Sequence, residues 1–246
     1  GLMRSVMTQP GVYFTLDAPL VSIIGLYSNV LEGPGVISSQ GKKYPVSDAQ
    51  LNFLQAELQR LKPARTAGER AVIIAVHHPP LSADAKHGGS TGLSNDIDTA
   101  CKNAGLWPDA VLSGHAHLYQ RFTRRVANQE IPYVVSGSGG YNAKANPLEK
   151  TPKAPFTQGE ITLEIDPVIE YGYVTVTIDM TSPAKTMTIA FNSPKLGRNH
   201  DQVTVDLVGR ERVVEDVRVG ERGEIGLPIA CVGRLQRKPP GNDGQE

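Results

Sequence analysis

Ala71-Val72-Ile73-Ile74-Ala75-Val76-His77-His78-Pro79-Pro80 is the stretch that decides the fold class of this chain. Its first six residues form an unbroken apolar run rather than an alternation, the pattern of a strand covered on both faces by other layers. The run stops abruptly at two histidines and two prolines. The same arrangement recurs downstream. Asp109 to Ser113 ends in Gly114-His115-Ala116-His117, and Ile131 to Val135 ends in Ser136-Gly137-Ser138-Gly139-Gly140. Three buried strands that each finish in a histidine or glycine cluster predict a layered α/β fold with its chemistry on one sheet edge, because the loops past strand ends are where such sheets bind ligands.

Working outward, Gly11 to Asp17 sets Val12, Phe14 and Leu16 on one face, and Val21 to Val30 adds a more apolar run. These predict two strands joined by a turn at Ala18-Pro19. The stretch from Gly33 to Tyr44 holds three glycines, two serines and a proline, which predicts a loop. Ser47-Asp48-Ala49-Gln50 matches a capping box, and Leu51, Leu54, Leu58 and Leu61 follow at helical spacing. An amphipathic helix from Asp48 to Leu61 is therefore expected, stopped by Pro63. A shorter helix is expected from Asp98 to Ala104, closed by Gly105. Past about Pro147 the pattern becomes alternating, with Val174, Val176, Ile178 and Met180, then Met187, Ile189 and Phe191, on one face. That is the signature of an antiparallel meander with one buried face. Val203, Val205 and Leu207 alternate again before a charged and polar end, so the expected organisation is a main domain over 1–198 and a β-rich appendage with a polar tail over 199–246.

Composition narrows the function. With 246 residues, 39% hydrophobic and 20% charged, the chain can bury a sizeable core, which argues against a disordered or fibrous role. Lys plus Arg and Asp plus Glu each number 25, so no overall field draws in nucleic acid or an anionic membrane. The longest apolar runs are far short of the roughly 20 residues that span a bilayer. Cys101 and Cys231 are compatible with one long-range disulfide and leave the compartment open. The start, Gly1-Leu2-Met3-Arg4, has neither an initiator Met nor the apolar stretch of a signal peptide, which suggests an internal start or a cloning scar.

The histidines carry the chemistry. Six occur, and four of them fall in the two clusters His77-His78 and His115-Ala116-His117. One histidine at a strand end is most often structural; two clusters after neighbouring strands weigh more, because neutral imidazole is a favoured ligand of Zn, Fe and related ions. A His-x-His turn can present two imidazoles to two adjacent metals, and Gly114 is expected to supply the sharp backbone turn that aims them.

With these residues in view, the chain resembles the calcineurin-like metallophosphoesterases, most of all their purple acid phosphatase-like members. The resemblance rests on His77-His78-Pro79-Pro80, on Leu81 to Ser90, on Gly114-His115-Ala116-His117-Leu118-Tyr119-Gln120-Arg121, on the Ser136 to Gly140 loop and on the 38-residue step from His77 to His115. It covers roughly 10–195, with Gly25-Leu26-Tyr27-Ser28-Asn29 and Gly172-Tyr173 as weaker matches. It implies a four-layer α/β/β/α sandwich of which this chain forms the C-terminal half. It also implies a phosphatase or phosphodiesterase in which a hydroxide between two Fe, Zn or Mn ions attacks phosphorus. His77 and His115 match ligands of one metal and His117 a ligand of the other. His87 falls where the family places a histidine that touches phosphate or protonates the leaving group, and a solvated loop histidine is the plainer alternative. His78 reads equally as a substrate contact or as an imidazole that holds the loop. Tyr119 and Arg121 read as structural.

The departures matter as much. The family's Asp-x-His, Gly-Asp and Gly-Asn-His motifs occur nowhere in the chain. Truncation explains that better than decay, since every upstream motif is missing and every downstream one is present. Three neutral imidazoles bring no charge to offset two metal ions, so this chain alone is expected to bind metal weakly or singly and to hydrolyse little. The partners expected are a phosphoester or nucleotide substrate, together with the missing N-terminal half or a self-association partner covering an open sheet edge. The alternative from another class is a non-catalytic binding or scaffolding module.

Overall fold

The computed structural model describes residues 7–208 apart from 32, 34, 141–150, 152 and 182, with residues 6, 212 and 213 described by their backbone. The fold is mixed α/β. A nine-stranded sheet runs in the order β1 (Val6–Thr8), β2 (Phe14–Asp17), β3 (Val21–Leu26), β4 (Ala71–Val76), β5 (Ala110–Ser113), β7 (Gln129–Ser136), β6 (Tyr119–Val126), β9 (Ile161–Leu163) and β8 (Phe156–Gln158). The four central strands β3, β4, β5 and β7 are mutually parallel, and the flanking pairs are antiparallel. The outermost strands, β1 and β8, are three residues each, which leaves little open edge among the described residues.

The continuous apolar run of β4 is divided between two layers. Val72, Ile74 and Val76 join a core with α1 (Ala49–Thr66) and α2 (Thr91–Ala104), while Ala71 and Ile73 join a second core with the other sheet. That other sheet is the antiparallel set β10 (Tyr173–Asp179), β11 (Thr186–Ser193), β12 (Gly197–Asp206) and β13 (Arg212–Val213). Val174, Met187, Ile189, Phe191, Val203 and Val205 point inward from it. Its other face carries Thr175, Thr177, Thr186 and Thr188, as suits a sheet with one side toward solvent. The described residues therefore form three layers, helices on sheet on sheet. No described helix covers the outer face of the second sheet, so the fourth layer implied by the resemblance is not seen among them. No described helix is long and apolar enough to cross a membrane.

Several local expectations are corrected. The boundary at 198/199 falls inside β12, whose Val203 and Val205 sit in the core between the sheets, so residues 199–206 belong to the main body. Residues 214–246 of the expected appendage, with Cys231, lie outside the described residues, as does Pro147. Cys101 is buried, with no cysteine beside it among the described residues. Pro63 does not stop α1, which runs on to Thr66 because Ala67 N–H still reaches Pro63 C=O and Arg65 is anchored in the core. The capping box does not form. Asp48 Oδ1 instead accepts from Ser39 N at 2.7 Å, and Gln50 turns to the backbone of Tyr27, with Tyr27 N to Oε1 at 2.6 Å and Nε2 to Tyr27 O at 2.9 Å. α2 begins a full two turns earlier than expected, capped by Ser90 Oγ accepting from Leu93 N, and it ends as expected at Gly105 in the left-handed conformation.

Buried ion pairs join the layers. Arg65, 2% exposed, forks onto Asp109 at 2.6 to 2.9 Å and donates through Nη1 to Leu207 O at 2.7 Å, while Asp109 Oδ2 also accepts from Val72 N. Arg121 and Tyr119, read as structural, both donate to Asp201 of β12 at 2.6 to 2.9 Å. At the far edge, Asp17 accepts from Ser22 Oγ, Arg60 and Arg70. Burial pushes its pKa up, but the hydrogen bonds from Ser22 and Arg60 and the two cationic neighbours outweigh this and hold it below the usual carboxylate range. A depressed pKa stabilises the fold above the unfolded value, near 3.8, and that contribution is lost as pH falls through the folded value. The urea midpoint of wild type is therefore expected to exceed that of Asp17→Asn at pH 7, with the gap shrinking as pH falls below about 3.8; a gap independent of pH would contradict the assignment.

Candidate functional site

Parallel pairing puts the C-terminal ends of β4, β5 and β7 side by side, so the three clusters singled out in the sequence meet on one edge. Gly114 N donates to His77 O at 3.0 Å and ties the two histidine turns together. Gly137 N donates to Leu118 O at 3.1 Å, and a Cβ at Gly137 would lie 1.9 Å from Ala116 O. That loop is thus a close-packed brace under the 114–118 turn. In the turn that Gly114 was expected to sharpen, the left-handed residue is the next one, His115, with φ +62°. A non-glycine residue there is sterically costly and is held by its surroundings, a condition that recurs at functional sites.

His115 is the hub. His77 Nε2 lies 3.0 Å from His115 Nδ1, and the rings of His77, His78 and His87 have centroids 4.9, 4.2 and 4.3 Å from that of His115. His117 stands on the far side, 6.3 Å from His87 by ring centroids. The five candidate residues are therefore brought together, while His200 lies apart, exposed and edge-on to Phe191. Burial pushes the His115 imidazole down to about 3, and the neighbouring imidazoles push in the same direction, so it is neutral at physiological pH with a lone pair to offer. His117 is lowered by burial too, then by His87 and Lys86, with Asp84 opposing.

The two uncertain histidines separate cleanly by environment. His78 is 4% exposed, its Nδ1 is 2.8 Å from Ser28 Oγ, and Gly35 packs so closely on the ring that a Cβ there would lie 2.5 Å from Cγ. These contacts describe an imidazole that holds the loop. His87 is exposed on the turn after Asp84, whose buried carboxylate accepts from His87 N at 2.7 Å. Ser28 and Asp84 are the positioning residues that sequence reasoning passed over, since a serine and an aspartate in loops carry no periodic or spacing signal.

Two imidazole nitrogens about 3 Å apart suit a shared ion with bonds of roughly 2.0–2.1 Å. Beyond that pair the fit fails. Among the described residues no group of three or more His, Cys, Asp or Glu is placed to hold a metal ion. The donor set present thus fits one ion on two imidazoles and does not fit a dinuclear centre.

No family model matches the chain. No curated protein matches it. Among solved structures, a Plasmodium protein described as "GAP50 the anchor in the inner membrane complex of Plasmodium" is similar over 81% of this chain at 15% identity, with a TM-score of 0.47. The chain spans 52% of the length of that structure.

Proposed function

We propose that the chain carries the imidazole part of a metal-dependent phosphoester hydrolase site. The observation that supports this is the convergence of His77, His78, His87, His115 and His117 past the adjacent parallel strands β4 and β5, with His77 Nε2 and His115 Nδ1 3.0 Å apart. In this reading His77 and His115 would hold a single ion, Fe, Zn or Mn; the second position expected for His117 has too few donors among the described residues to hold another. The metal chemistry would polarise the phosphate and supply a nucleophilic hydroxide. This chain's own part is positional. Ser28 and Gly35 fix His78, the His78 ring packs against His115, and exposed His87 is placed to meet a phosphate oxygen or hand a proton to a leaving group. Monoesters, diesters and nucleotides are all compatible with it.

A second reading is a non-catalytic module that binds through the same edge, since no group of three or more His, Cys, Asp or Glu among the described residues is placed to hold a metal ion. Calorimetric titration with Zn²⁺ separates the two. One ion per chain is expected, weakened roughly tenfold or more in His115→Ala. Zn²⁺ affinity unchanged in that variant would remove His115 from the site, and no heat of binding in wild type would leave the module reading.

A further inference from the structure

Beside the imidazole cluster lies a cleft of about 640 Å³, within the roughly 300–1,000 Å³ of sites for small organic ligands. One wall is the 33–44 loop and the other the 86–92 segment leading into α2. The walls are tied at their base, Gln40 Nε2 donating to Gly92 O at 3.1 Å and Ser90 Oγ to Gly35 O at 3.4 Å, so the cleft is preformed. His78, His87 and His115 of the imidazole cluster line it together with Lys43, Tyr44 and Lys86. No carboxylate lines it among the described residues. Neither lysine forms an ion pair among them, in a chain where buried and half-buried Arg65, Arg70, Arg121 and Arg124 are all matched to carboxylates. Lys43 Nζ lies 5.1 Å from the Tyr44 ring centroid, and Gln40 and Asn95 add hydrogen-bonding groups. The first turn of α2 adds positive partial charge to the same wall.

Two cations without counter-charges in a preformed polar cleft select against neutral ligands. The geometry points to an organic phosphoester of nucleotide size carrying a second anionic group, its ester phosphate beside His87 and His115 and its second anion held by Lys43 and Lys86. This names a substrate class for the proposed site and rests on that reading for where the reacting phosphate sits. The anion-binding part needs no metal. An aromatic or sugar portion has Tyr44, Gln40 and Asn95 to meet, and the cleft is longer than one phosphate needs.

ADP is the probe, titrated into the chain in EDTA at 50 and 150 mM salt beside AMP and adenosine. ADP is expected to bind more tightly than AMP, adenosine not measurably, and the ADP affinity to fall with salt. Lys43→Ala and Lys86→Ala should each weaken ADP roughly fivefold, and the double variant should bind ADP no better than AMP. Both lysines are exposed, so their truncation leaves the core intact. Lysine variants that bind ADP like wild type, adenosine that binds as well as ADP, or no ADP binding in wild type would each overturn the proposal. Lysine-dependent ADP binding without Zn²⁺ binding would sink the metal reading and keep the cleft. Zn²⁺ binding with lysine-insensitive ADP binding would do the reverse.

Discussion

Asp109→Ala is expected to lower the free energy of unfolding by about 3–5 kcal/mol. The Asp109 carboxylate is 5% exposed and receives three hydrogen bonds from the Arg65 guanidinium and one from Val72 N. Removing it leaves a cation sealed under the last turn of α1 with only Leu207 O as acceptor, and strips the Val72 amide of its side-chain partner. Neither group can reach water without opening the core, so the penalty is that of an uncompensated buried charge rather than of a lost surface pair. Changing both partners to apolar residues, Arg65→Met with Asp109→Leu, should recover most of the loss, because the pair itself contributes little beyond its own desolvation. Urea denaturation of the three variants tests this. A loss under about 1 kcal/mol in Asp109→Ala would mean that water reaches the pair and the buried description is wrong.

Gly137→Ala should be nearly as severe, at about 3 kcal/mol, and it should also reach the site. The added methyl would sit 1.9 Å from Ala116 O and 2.7 Å from Ala116 C, so backbone on one side must move by about 1 Å or more. The 114–118 turn has little slack, since Ala116 O accepts from Leu118 N at 2.8 Å and Leu118 O accepts from Gly137 N. Whatever moves carries His115 and His117 with it. Zn²⁺ affinity should therefore drop although every imidazole is still present. Gly139→Ala is the control, because a Cβ there meets nothing nearer than Gly172 O at 4.0 Å. If Gly137→Ala retains the wild-type urea midpoint and Zn²⁺ affinity, the brace under the turn is not what aligns the imidazoles.

The parts of the fold that periodicity governs were legible. The meander from Val174 onward and the helix through Leu54, Leu58 and Leu61 follow from spacing, because each buries a face that repeats, and the strands at 71–76 and 110–113 follow from short unbroken apolar runs. Tyr119–Val126 was not legible as a strand: it carries Arg121, Arg124 and Arg125, and the carboxylates that neutralise the first two lie at Asp201 and Asp98, far away in sequence. The start of α2 was hidden for a different reason. Ser90-Thr91-Gly92 has the composition of a turn, and only the capping bond to Leu93 shows that the helix begins there. At the site, the residue types were readable and the backbone was not. Gly114 pointed to a sharp turn, and the residue that takes the left-handed conformation in it is His115. The cleft was beyond reach altogether, because Lys43 and Lys86 belong to separate loops brought together by tertiary bonds such as those from Gln40, Ser90 and Ser38.

The side-by-side parallel strands have a consequence in time. β4, β5 and β7 are separated by long stretches of chain, and parallel neighbours cannot zip from a tight hairpin turn. Each junction must first close a loop before any contact rewards it, the slow route among topologies. The His77–His115 pair exists only once the β4–β5 junction has closed, whereas the α1 turns need nothing but local sequence. A nascent or partly folded chain can therefore be helical while its imidazoles are still apart.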